Sequence, residues 1–534
     1  MLDRGHSLRF NPLGFLQELT SHGFGLARRP HIKISGLGVK LTSLKAGDPL
    51  LAQEISKGKF SFAGTSISGL PPKLFDLTPP NSEWAASLHS LTWLNHFVAG
   101  GHELHRIVAR LLVEKWGEQP AGKFNGTVHA NALISLSLAA HFLVDTSSTF
   151  KAAYFAIVEK HMRRVTSQRT ANVTDRLLQI ISLQYASLAF RTPPALRDDA
   201  NVKFCDVINQ VILPDGGHVS RDPLQLLETL LNIIPIQDAM LAHHQAVPQP
   251  LSAAIERMVP MLRMLSHGDH GLAHFQGAGN TRMATIKSIL ERDKVHGRPL
   301  LLAPHSGYCR LAHRSGLLIV DVGAPATCNS SLALEFSDGQ NRIFSNCGMP
   351  LAASAAWQNA AASLAAHNTL EVDGFAFGTQ SAPQAEVINS PRGSLASCQN
   401  HMSGKAGKIV HERSLFLSQD GRDLRGQDML SSTENGFTIR FHLHPAVKAT
   451  SIRNGSKIVL VLPNRAAWNF SARGGVLTLE ESIFLGDENG PRKTQQIVIR
   501  NSTENQSPVK WALRRVEKST AAESEQEEAP QLPF

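Results

Sequence analysis

A short polar stretch near the middle of the chain carries the residues best suited to acid–base chemistry on an anion. It runs LPDGGHVSRDP from Leu213 to Pro223, and the apolar periodicity that follows predicts a helix. His218 and Arg221 therefore stand where a loop meets a helix N-terminus, whose dipole favours negative charge. The pattern predicts an anion site with Arg221 on a carboxylate and His218 as donor or base. The alternative is an ordinary turn with Arg221 paired to a nearby acid.

Other residues that could bind a ligand or take part in catalysis lie further along the sequence. His442 and His444 alternate in RFHLHP, so on a strand both side chains project from the same face. Such a pair suits a metal, a polar groove or an ordinary hydrogen-bonded sheet surface. The Gly-rich pieces GGHVSR and GAGNTR lack the strand–GxGxxG–helix context of nucleotide sites. Neither G-x-S-x-G nor H-E-x-x-H is present, which removes two common hydrolase schemes.

The composition is that of a chain able to build several cores. An apolar fraction of 42% excludes a wholly disordered chain. The length of 534 residues corresponds to two large domains or three smaller ones. Five cysteines without a C-x-x-C pair argue against a disulfide scaffold and against a cysteine zinc site. No run of about 18 apolar residues occurs, so the sequence predicts no membrane-spanning helix.

The charge balance indicates an anionic partner without identifying it. The formal net charge is +9, spread along the chain, and this suits either an anionic partner or simple solubility. No basic run of the nucleic-acid-binding type occurs, so nucleic acid is not an expected partner. The N-terminal stretch MLDRGHSLRFNPLGFLQELTSHGFG has no apolar core before a small-residue cleavage site, so it does not predict a Sec signal.

Four segments of the chain differ in pattern. Residues 1–80 are punctuated by Pro and Gly and contain one predicted strand, GKFSFAG. Residues 81–295 repeat apolar residues every three to four positions, which predicts helices joined by short breaks. Residues 296–515 contain short alternating or β-branched segments, which predict antiparallel strands, and residues 516–534 form an acidic tail that is predicted to be disordered. Helices before strands indicate an α+β multidomain chain with segregated domains.

The order of several short motifs resembles that of the heparinase II/III family of polysaccharide lyases, in its uncharacterised branch. The motifs are LPDGGHVSRDP, HSGYCRL, LIVDVGAP, LEFSDG, AAHNTLEVDG, RFHLHP and a late EES, and the resemblance spans residues 80–505. It implies an incomplete N-terminal (α/α) toroid followed by an antiparallel β-sandwich, with the active site in the cleft between them. It also implies β-elimination on an acidic, uronate-containing polysaccharide or oligosaccharide.

The resemblance implies roles for the polar residues. Arg221 would neutralise the uronate carboxylate, where charge develops in the transition state, and His218 or His367 would transfer the proton, with Tyr308 as a further catalytic candidate. The chain departs from the family at Gln225, where classical members carry a tyrosine that acts as acid and base. Glutamine has no proton to exchange, and the Asn-His pair of many relatives is also missing. The alternative function is therefore a non-catalytic carbohydrate-binding or envelope polysaccharide-assembly protein.

The resemblance also bears on ligands and on location. The expected substrate contacts beside the catalytic set are Asp215, Gln225, Asn368 and Arg176. Relatives hold a structural zinc through His and Asp, where this chain has Cys328 and Ser330. Cys328 and His367 are therefore the zinc-ligand candidates in a chain that is not expected to require a cofactor. Family membership implies the cell envelope or periplasm, whereas the missing export signal is compatible with the cytoplasm. The sequence is compatible with an oligomer.

Overall fold

The structure is a computed structural model that describes residues 32–517 apart from short gaps. The gaps are 121–123, 146–148, 280–282, 294–296, 298, 351–353, 379–383, 406, 432–435, 488–489 and 503–507. From residue 518 onward, the acidic tail that was predicted to be disordered lies outside the described residues, as do residues 1–31.

The first part of the described chain is a layered set of helices, as the apolar periodicity predicts. The helices are α1 (Pro49–Ser56), α2 (Ser82–His89), α3 (Leu94–Gly100), α4 (Glu103–Glu118), α5 (Gly126–Leu143), α6 (Phe150–Ser167), α7 (Val173–Ala189), α8 (Pro194–Val211), α9 (Pro223–Ala242), α10 (Gln249–Met264) and α11 (Met283–Glu291). Helices α5, α7 and α9 are buried on most sides, whereas α6, α8 and α10 keep an exposed face. Inner helices thus alternate with outer ones. No described helix has the length and apolarity needed to cross a bilayer.

Polar caps fix where the inner helices begin. Asn125, Asn172 and Asp222 each precede an inner helix, and each side-chain oxygen accepts a hydrogen bond from a backbone N–H two or three residues later. An Asn or Asp cap stabilises a helix by about 1 kcal/mol relative to Ala. The predicted helix after Pro223 is confirmed as α9, with Asp222 as its cap.

Residues 32–80 pack onto the helical half and share its core. The predicted strand GKFSFAG forms β1 (Lys59–Phe62), which pairs with β2 (Thr65–Ser68). Ile32 and Leu41 are buried in the same apolar cluster as the helices that follow. The described part of this predicted extension is therefore a structural component of the helical half.

The second part of the chain is built from antiparallel strands. They are β3 (Leu302–Ala303), β4 (Tyr308–His313), β5 (Gly316–Asp321), β6 (Leu334–Asp338), β7 (Asn341–Phe344), β8 (Leu370–Glu371), β9 (Phe375–Phe377), β10 (Gln384–Ser390), β11 (Gly393–Gly404), β12 (Gly407–Ser418), β13 (Asp423–Leu430), β14 (Phe437–His442), β15 (Lys448–Ile452), β16 (Lys457–Val461), β17 (Ala467–Arg473), β18 (Val476–Phe484), β19 (Arg492–Asn501) and β20 (Val509–Arg515), with one helix, α12 (Ala355–Ala362), between β7 and β8. The predicted α+β order, helices first and antiparallel strands second, is confirmed.

The strands form three sheets. The sheet next to the helices runs β3-β4-β5-β6-β7. The largest runs β10-β11-β12-β13-β20-β17-β16-β15, with β9 paired to β11, and the third runs β18-β19-β14-β8. The apolar cores of the second and third sheets and of one face of the first sheet merge into a single cluster.

The first sheet joins the two halves because both of its faces are buried. In β5, Leu317 and Ile319 belong to the helical core, whereas Leu318 and Val320 belong to the sandwich core. Side chains alternate between the faces of a strand, so a strand covered on both sides must be apolar throughout. This explains the uninterrupted run GLLIVD, all of whose residues are buried.

A buried charge cluster lies inside the largest sheet. Asp428 on β13 accepts hydrogen bonds from Arg413 Nε at 2.6 Å, His411 Nε2 at 2.8 Å and Trp511 Nε1 at 3.0 Å. Burial alone would raise the pKa of Asp428, but the Arg413 guanidinium and His411 hold it well below its usual range. The Asp428 carboxylate therefore ties together β12, β13 and β20 as an ionised group.

We expect Asp428→Asn to destabilise the strand half by about 3–5 kcal/mol, because it leaves the Arg413 charge buried without a counter-ion. The measurement is urea denaturation followed by tryptophan fluorescence, since Trp511 touches the altered group. The matched control is Glu480→Gln, which breaks the exposed ion pair with Arg500 and should cost less than about 1 kcal/mol. Equal effects of the two substitutions would contradict the prediction.

Candidate functional site

The polar stretch 213–222 forms a tight turn at the junction of the two halves. Asp215 stands at the centre of the turn, and its carboxylate accepts hydrogen bonds from the backbone N–H groups of Gly217 at 3.1 Å, His305 at 2.9 Å and Ser306 at 2.7 Å. The Ser306 hydroxyl donates to the same carboxylate at 3.1 Å. Asp215 was predicted to contact substrate, but here it fastens the turn to the start of the strand half.

The Arg221 side chain crosses the junction, and most of its N–H groups donate hydrogen bonds to protein acceptors. Its Nε donates to the Ser306 carbonyl at 2.7 Å, and Nη2 donates to the Gly307 carbonyl at 3.1 Å. Nη1 donates to the Ala324 carbonyl, and Nη2 also bonds to the carboxylate of Asp321. A guanidinium has five N–H donors, so no more than a single one remains. The Asp321 carboxylate already neutralises the charge that was predicted to meet a substrate carboxylate.

The backbone around Arg221 is shaped to admit the guanidinium. Arg221 itself has a left-handed φ of 61°. A Cβ placed at Gly323 would lie 2.1 Å from Arg221 Nη2, so a side chain there would displace the guanidinium. The GAP sequence after β5 thus needs its glycine for this close approach.

Tyr308 is part of the same junction. Its ring lies beneath Arg221, with 5.2 Å between the guanidinium carbon and the ring centroid, and its hydroxyl donates to the Arg221 carbonyl. Tyr308 is 1% exposed, and burial raises its pKa well above its usual value. A buried phenol with its proton committed to a backbone carbonyl holds Arg221 in place and is a poor proton carrier.

His218 is enclosed in the turn as a neutral imidazole. Its Nδ1 accepts from the Ser220 backbone N–H at 3.1 Å and lies 2.7 Å from the Ser220 hydroxyl. Burial lowers the pKa of His218 to about 4, so the ring is uncharged at neutral pH. Among the described residues nothing hydrogen-bonds to its buried Nε2.

Gln276 completes the junction, and sequence reasoning missed it. Its side-chain nitrogen donates to Asp321 Oδ2 at 2.7 Å and to the Ser330 hydroxyl at 2.8 Å. Its side-chain oxygen accepts from the backbone N–H groups of residues 326–328. The segment GLAHFQGAG gives no local sign of this role, because every partner lies at least 45 residues away.

The zinc-ligand candidates and Asn368 have other partners. Burial raises the pKa of the Cys328 thiol to about 12, so it is held as a thiol. His367 Nδ1 lies 2.7 Å from the Ser363 carbonyl, and burial lowers the pKa of that imidazole. Asn368 donates to the Leu334 carbonyl at 2.9 Å and accepts from the His442 backbone N–H at 2.6 Å, which braces two strands. Within the described residues no group of three His, Cys, Asp or Glu is placed to hold a metal ion.

The two histidines of RFHLHP are also buried among protein groups. His442 Nδ1 lies 2.7 Å from the Ser482 hydroxyl and its Nε2 lies 2.9 Å from the Ala365 carbonyl. His444 packs against Phe484 with 5.5 Å between ring centroids. Burial lowers the pKa of His442 to about 3 and that of His444 to about 4, so both rings are neutral.

The structure therefore separates the predicted site residues. Asp215, His218, Arg221 and Tyr308 meet at the junction, whereas His367 and Asn368 lie on the strand side. Gln225 is half-buried in the first turn of α9, and Arg176 is exposed on α7.

Arg176 lines a groove on the helical half that has two connected lobes. The apolar lobe has a volume of about 780 Å³ and lies between α6, α7 and α8. The polar lobe has a volume of about 430 Å³ and lies where α5 and α7 begin. Both lobes are bordered by Gln168, Arg169, Thr170 and Gln179.

The polar lobe has the chemistry of a site for a hydroxylated anion. It is lined by Asn125, Gly126, Thr127, Gln168, Arg169, Thr170, Asp175 and Gln179. The N-termini of α5 and α7 face it, and helix N-termini favour anions. Neither Arg169 nor Arg176 forms an ion pair with a described residue, in contrast to Arg221. Gln179 is 7% exposed, and the buried side-chain oxygen of Gln168 has no hydrogen-bond partner among the described residues.

Comparison with known proteins identifies the strand half and the fold. Residues 295–512 match the family model for the Heparinase II/III-like C-terminal domain, which confirms the predicted resemblance. The crystal structure of heparinase III superposes with a TM-score of 0.72 at 11% identity, covering 95% of this chain and 90% of that one. Heparan sulfate lyase HepC from Pedobacter heparinus superposes with a TM-score of 0.60 at 12% identity, covering 89% and 83%. The predicted toroid followed by a β-sandwich is therefore confirmed as the fold.

One relative matches nearly the whole chain, and its name refers to FtsZ and not to a lyase. FtsZ-localized protein C from Caulobacter vibrioides (strain NA1000 / CB15N) is 27% identical over 92% of this chain and 91% of its own length. That relative shares sequence with both halves, whereas the family model covers the strand half.

We expect stability near the junction to depend on the ionisation of Asp222. Burial raises the pKa of Asp222 to about 7, whereas the unfolded value is about 3.9. Its contribution to stability is therefore complete below about pH 4 and is lost as the pH rises through about 7. Asp222→Asn keeps an equivalent cap for Leu224 N and removes the buried charge. The free energy of unfolding of the variant, relative to the natural chain, should rise between about pH 5 and about pH 8.

Urea denaturation at the two pH values measures this difference. Asp48→Asn is the control, because Asp48 caps α1 through Leu50 N at 2.9 Å and precedes a proline in the same way. A variant-minus-natural difference that is the same at both pH values would contradict the burial of an ionisable Asp222.

Proposed function

We propose that this chain is a lyase-fold protein that binds an acidic polysaccharide or oligosaccharide without cleaving it. The observation that carries the proposal is the commitment of Arg221 and Tyr308 to the junction between the halves. In a β-elimination, a cation must meet the uronate carboxylate and an acid–base group must exchange protons near neutral pH. Arg221 is already paired with Asp321, and Gln225 stands where classical members carry the tyrosine.

The helical groove supports the binding part of the proposal. Arg169 and Arg176 are exposed beside the amides of Gln168 and Gln179, and arginine forms paired hydrogen bonds with carboxylates. Amide and hydroxyl side chains match the hydroxyl groups of a sugar. The buried side-chain oxygen of Gln168, which has no described partner, is an acceptor that a sugar hydroxyl would satisfy. A uronate at the polar lobe would place its carboxylate at Arg169, whereas Arg176 borders the neighbouring apolar lobe.

The lyase alternative keeps one supporting observation. His218 Nε2 has no described partner, and in the same turn burial raises the pKa of Asp222 to about 7. A carboxyl group with that pKa is suited to proton transfer at neutral pH. If the junction opened on substrate binding, these two groups would be the acid–base candidates.

The first experiment separates binding from cleavage on a panel of acidic glycans. We expect titration calorimetry to detect binding, and ultraviolet absorbance to detect no unsaturated uronate product, with an active heparin lyase as positive control. Arg169→Ala/Arg176→Ala should weaken binding by about tenfold or more, because two charge-assisted hydrogen bonds are lost. Arg392→Ala/Arg473→Ala changes two exposed arginines outside the groove and is the matched control.

Unsaturated product that disappears in His218→Ala or Asp222→Asn would establish the lyase alternative instead. Binding that is equally strong in the groove variant and in the control variant would remove the groove from the proposal. Absence of binding to every acidic glycan in the panel would overturn the proposed function.

We further infer that this chain localises with FtsZ, as the name of its Caulobacter vibrioides relative states of that protein. The inference is supported by the extent of the match, which covers 92% of this chain and 91% of the relative. The acidic glycan would then be one bound at the site of division. This second inference stands apart from the first, since localisation does not require glycan binding.

We expect a fluorescently tagged copy of the full chain, produced in Caulobacter vibrioides cells, to form bands that coincide with labelled FtsZ. The Arg169→Ala/Arg176→Ala variant serves as a comparison that separates the two activities. Bands that persist in the variant would indicate that localisation is independent of the groove. Diffuse fluorescence of the unaltered chain would refute the inferred localisation.

A further inference from the structure

The apolar lobe of the helical groove is an uncovered apolar surface on the outside of the helical half. Its floor consists of side chains from three helices, among them Val165 on α6, Ile180 and Leu183 on α7, and Leu196 on α8. Covering this recess with an apolar segment would remove apolar surface from water, which is favourable. The lobe is therefore expected to receive a segment with bulky apolar side chains.

The charged residues at the rim of the lobe indicate which charge a bound segment should carry. Arg169 and Arg176 stand on the rim without an ionic partner among the described residues. Lys203 also borders the lobe, where it pairs with Asp199 at 2.6 Å. Two uncompensated cations above an apolar floor favour a segment that combines carboxylates with apolar residues.

The chain itself contains such a segment after its last described residue. Residues 518–534 read KSTAAESEQEEAPQLPF, with a single lysine and four glutamates, at 523, 525, 527 and 528. The glutamates precede Leu532, Pro533 and Phe534, so carboxylates and bulky apolar groups follow one another within a short stretch. This order matches a cationic rim beside an apolar floor.

We propose that the apolar lobe is a docking site for residues 518–534 of the same chain. In the proposed contact, Leu532 and Phe534 would cover the floor made by Ile180, Leu183 and Leu196, and the glutamates would pair with Arg169 and Arg176. The docked segment covers an apolar recess and supplies the carboxylates that the two arginines otherwise lack.

The segment starts from the strand half. Glu517, its last described neighbour, pairs with Arg422 on the strand half at 3.3 Å. Seventeen extended residues span up to about 58 Å, so an intramolecular contact requires the lobe to lie within that reach of Glu517. A tethered segment also has an effective concentration in the millimolar range, which favours the intramolecular contact over one between molecules.

Docking has a consequence for ligand binding that rests on the proposed function. Gln168, Arg169, Thr170 and Gln179 border both lobes, so a docked acidic segment would occupy the arginine that an acidic glycan needs. The segment would then act as an internal competitor for the glycan. The docking itself does not depend on whether the chain binds glycans.

Disulfide trapping in the full chain tests the docking. Cys205 is the partly exposed cysteine, whereas the other four are buried, so Cys205→Ser provides the background. Gln531→Cys is combined with Thr166→Cys, an exposed position on the lobe, or with Ile107→Cys, which is 53% exposed on α4 outside the lobe. We expect the Thr166 pair to form an intramolecular disulfide severalfold more than the Ile107 pair, as measured by peptide mapping at low salt.

Charge reversal then tests the specificity. Arg169→Glu/Arg176→Glu should reduce the trapped fraction to the level of the Ile107 pair, and changing the four glutamates to lysine in that variant should restore it. An equal trapped fraction at Thr166 and Ile107 would overturn the proposal. A trapped fraction that is unchanged by the arginine substitutions would also overturn it. Disulfide-linked dimers in place of monomers would also overturn it, because the lobe would then receive the segment of a second copy. The assay contains no glycan, so its failure is separate from a failure of the proposed function.

Discussion

The structure depends on one guanidinium that joins two domains. Arg221 projects from the helical half and donates to carbonyls of Ser306, Gly307 and Ala324 and to the buried carboxylate of Asp321. An isolated charge of either sign would be costly at this depth, so the arginine and the aspartate require each other. Their positions in the sequence are 100 residues apart, so the ion pair links the helical half to the first sheet. The pair therefore stabilises the contact between the two halves.

Further buried polar groups extend this junction along the helix-facing side of the first sheet. Glu335 on β6 accepts from His267 Nε2 at 2.9 Å, from the His274 backbone N–H at 3.2 Å and from the Asn346 backbone N–H at 2.8 Å. Burial alone would raise the pKa of Glu335, but the hydrogen bond from His267 lowers it to about 2. Polar contacts of fixed geometry thus cross the boundary at several points, where apolar packing alone would allow the halves to slide. These contacts hold the first sheet against the helical half.

Much of the fold follows from local pattern, whereas the site does not. Apolar periodicity predicted the helices, alternation predicted the antiparallel strands, and the polar turn before Pro223 was correctly placed at a helix N-terminus. The chemistry assigned to that turn depended on what Arg221 would meet, and its acceptors come from residues that are distant in sequence and carry no motif of their own. Conversely, nothing in the sequence distinguishes Arg169 from other surface arginines. Its place in the groove arises from the packing of α5, α6, α7 and α8, which no local pattern encodes.

The polar turn has a structural role that does not depend on any elimination chemistry, because its residues hold the two halves together. The turn around Asp215 fastens the helical half to His305 and Ser306, and Arg221 needs the close approach of Gly323 to reach its acceptors. These requirements hold whether or not a substrate is ever bound. The presence of the polar turn therefore indicates the fold, and activity has to be judged from groups that are free to act on a ligand.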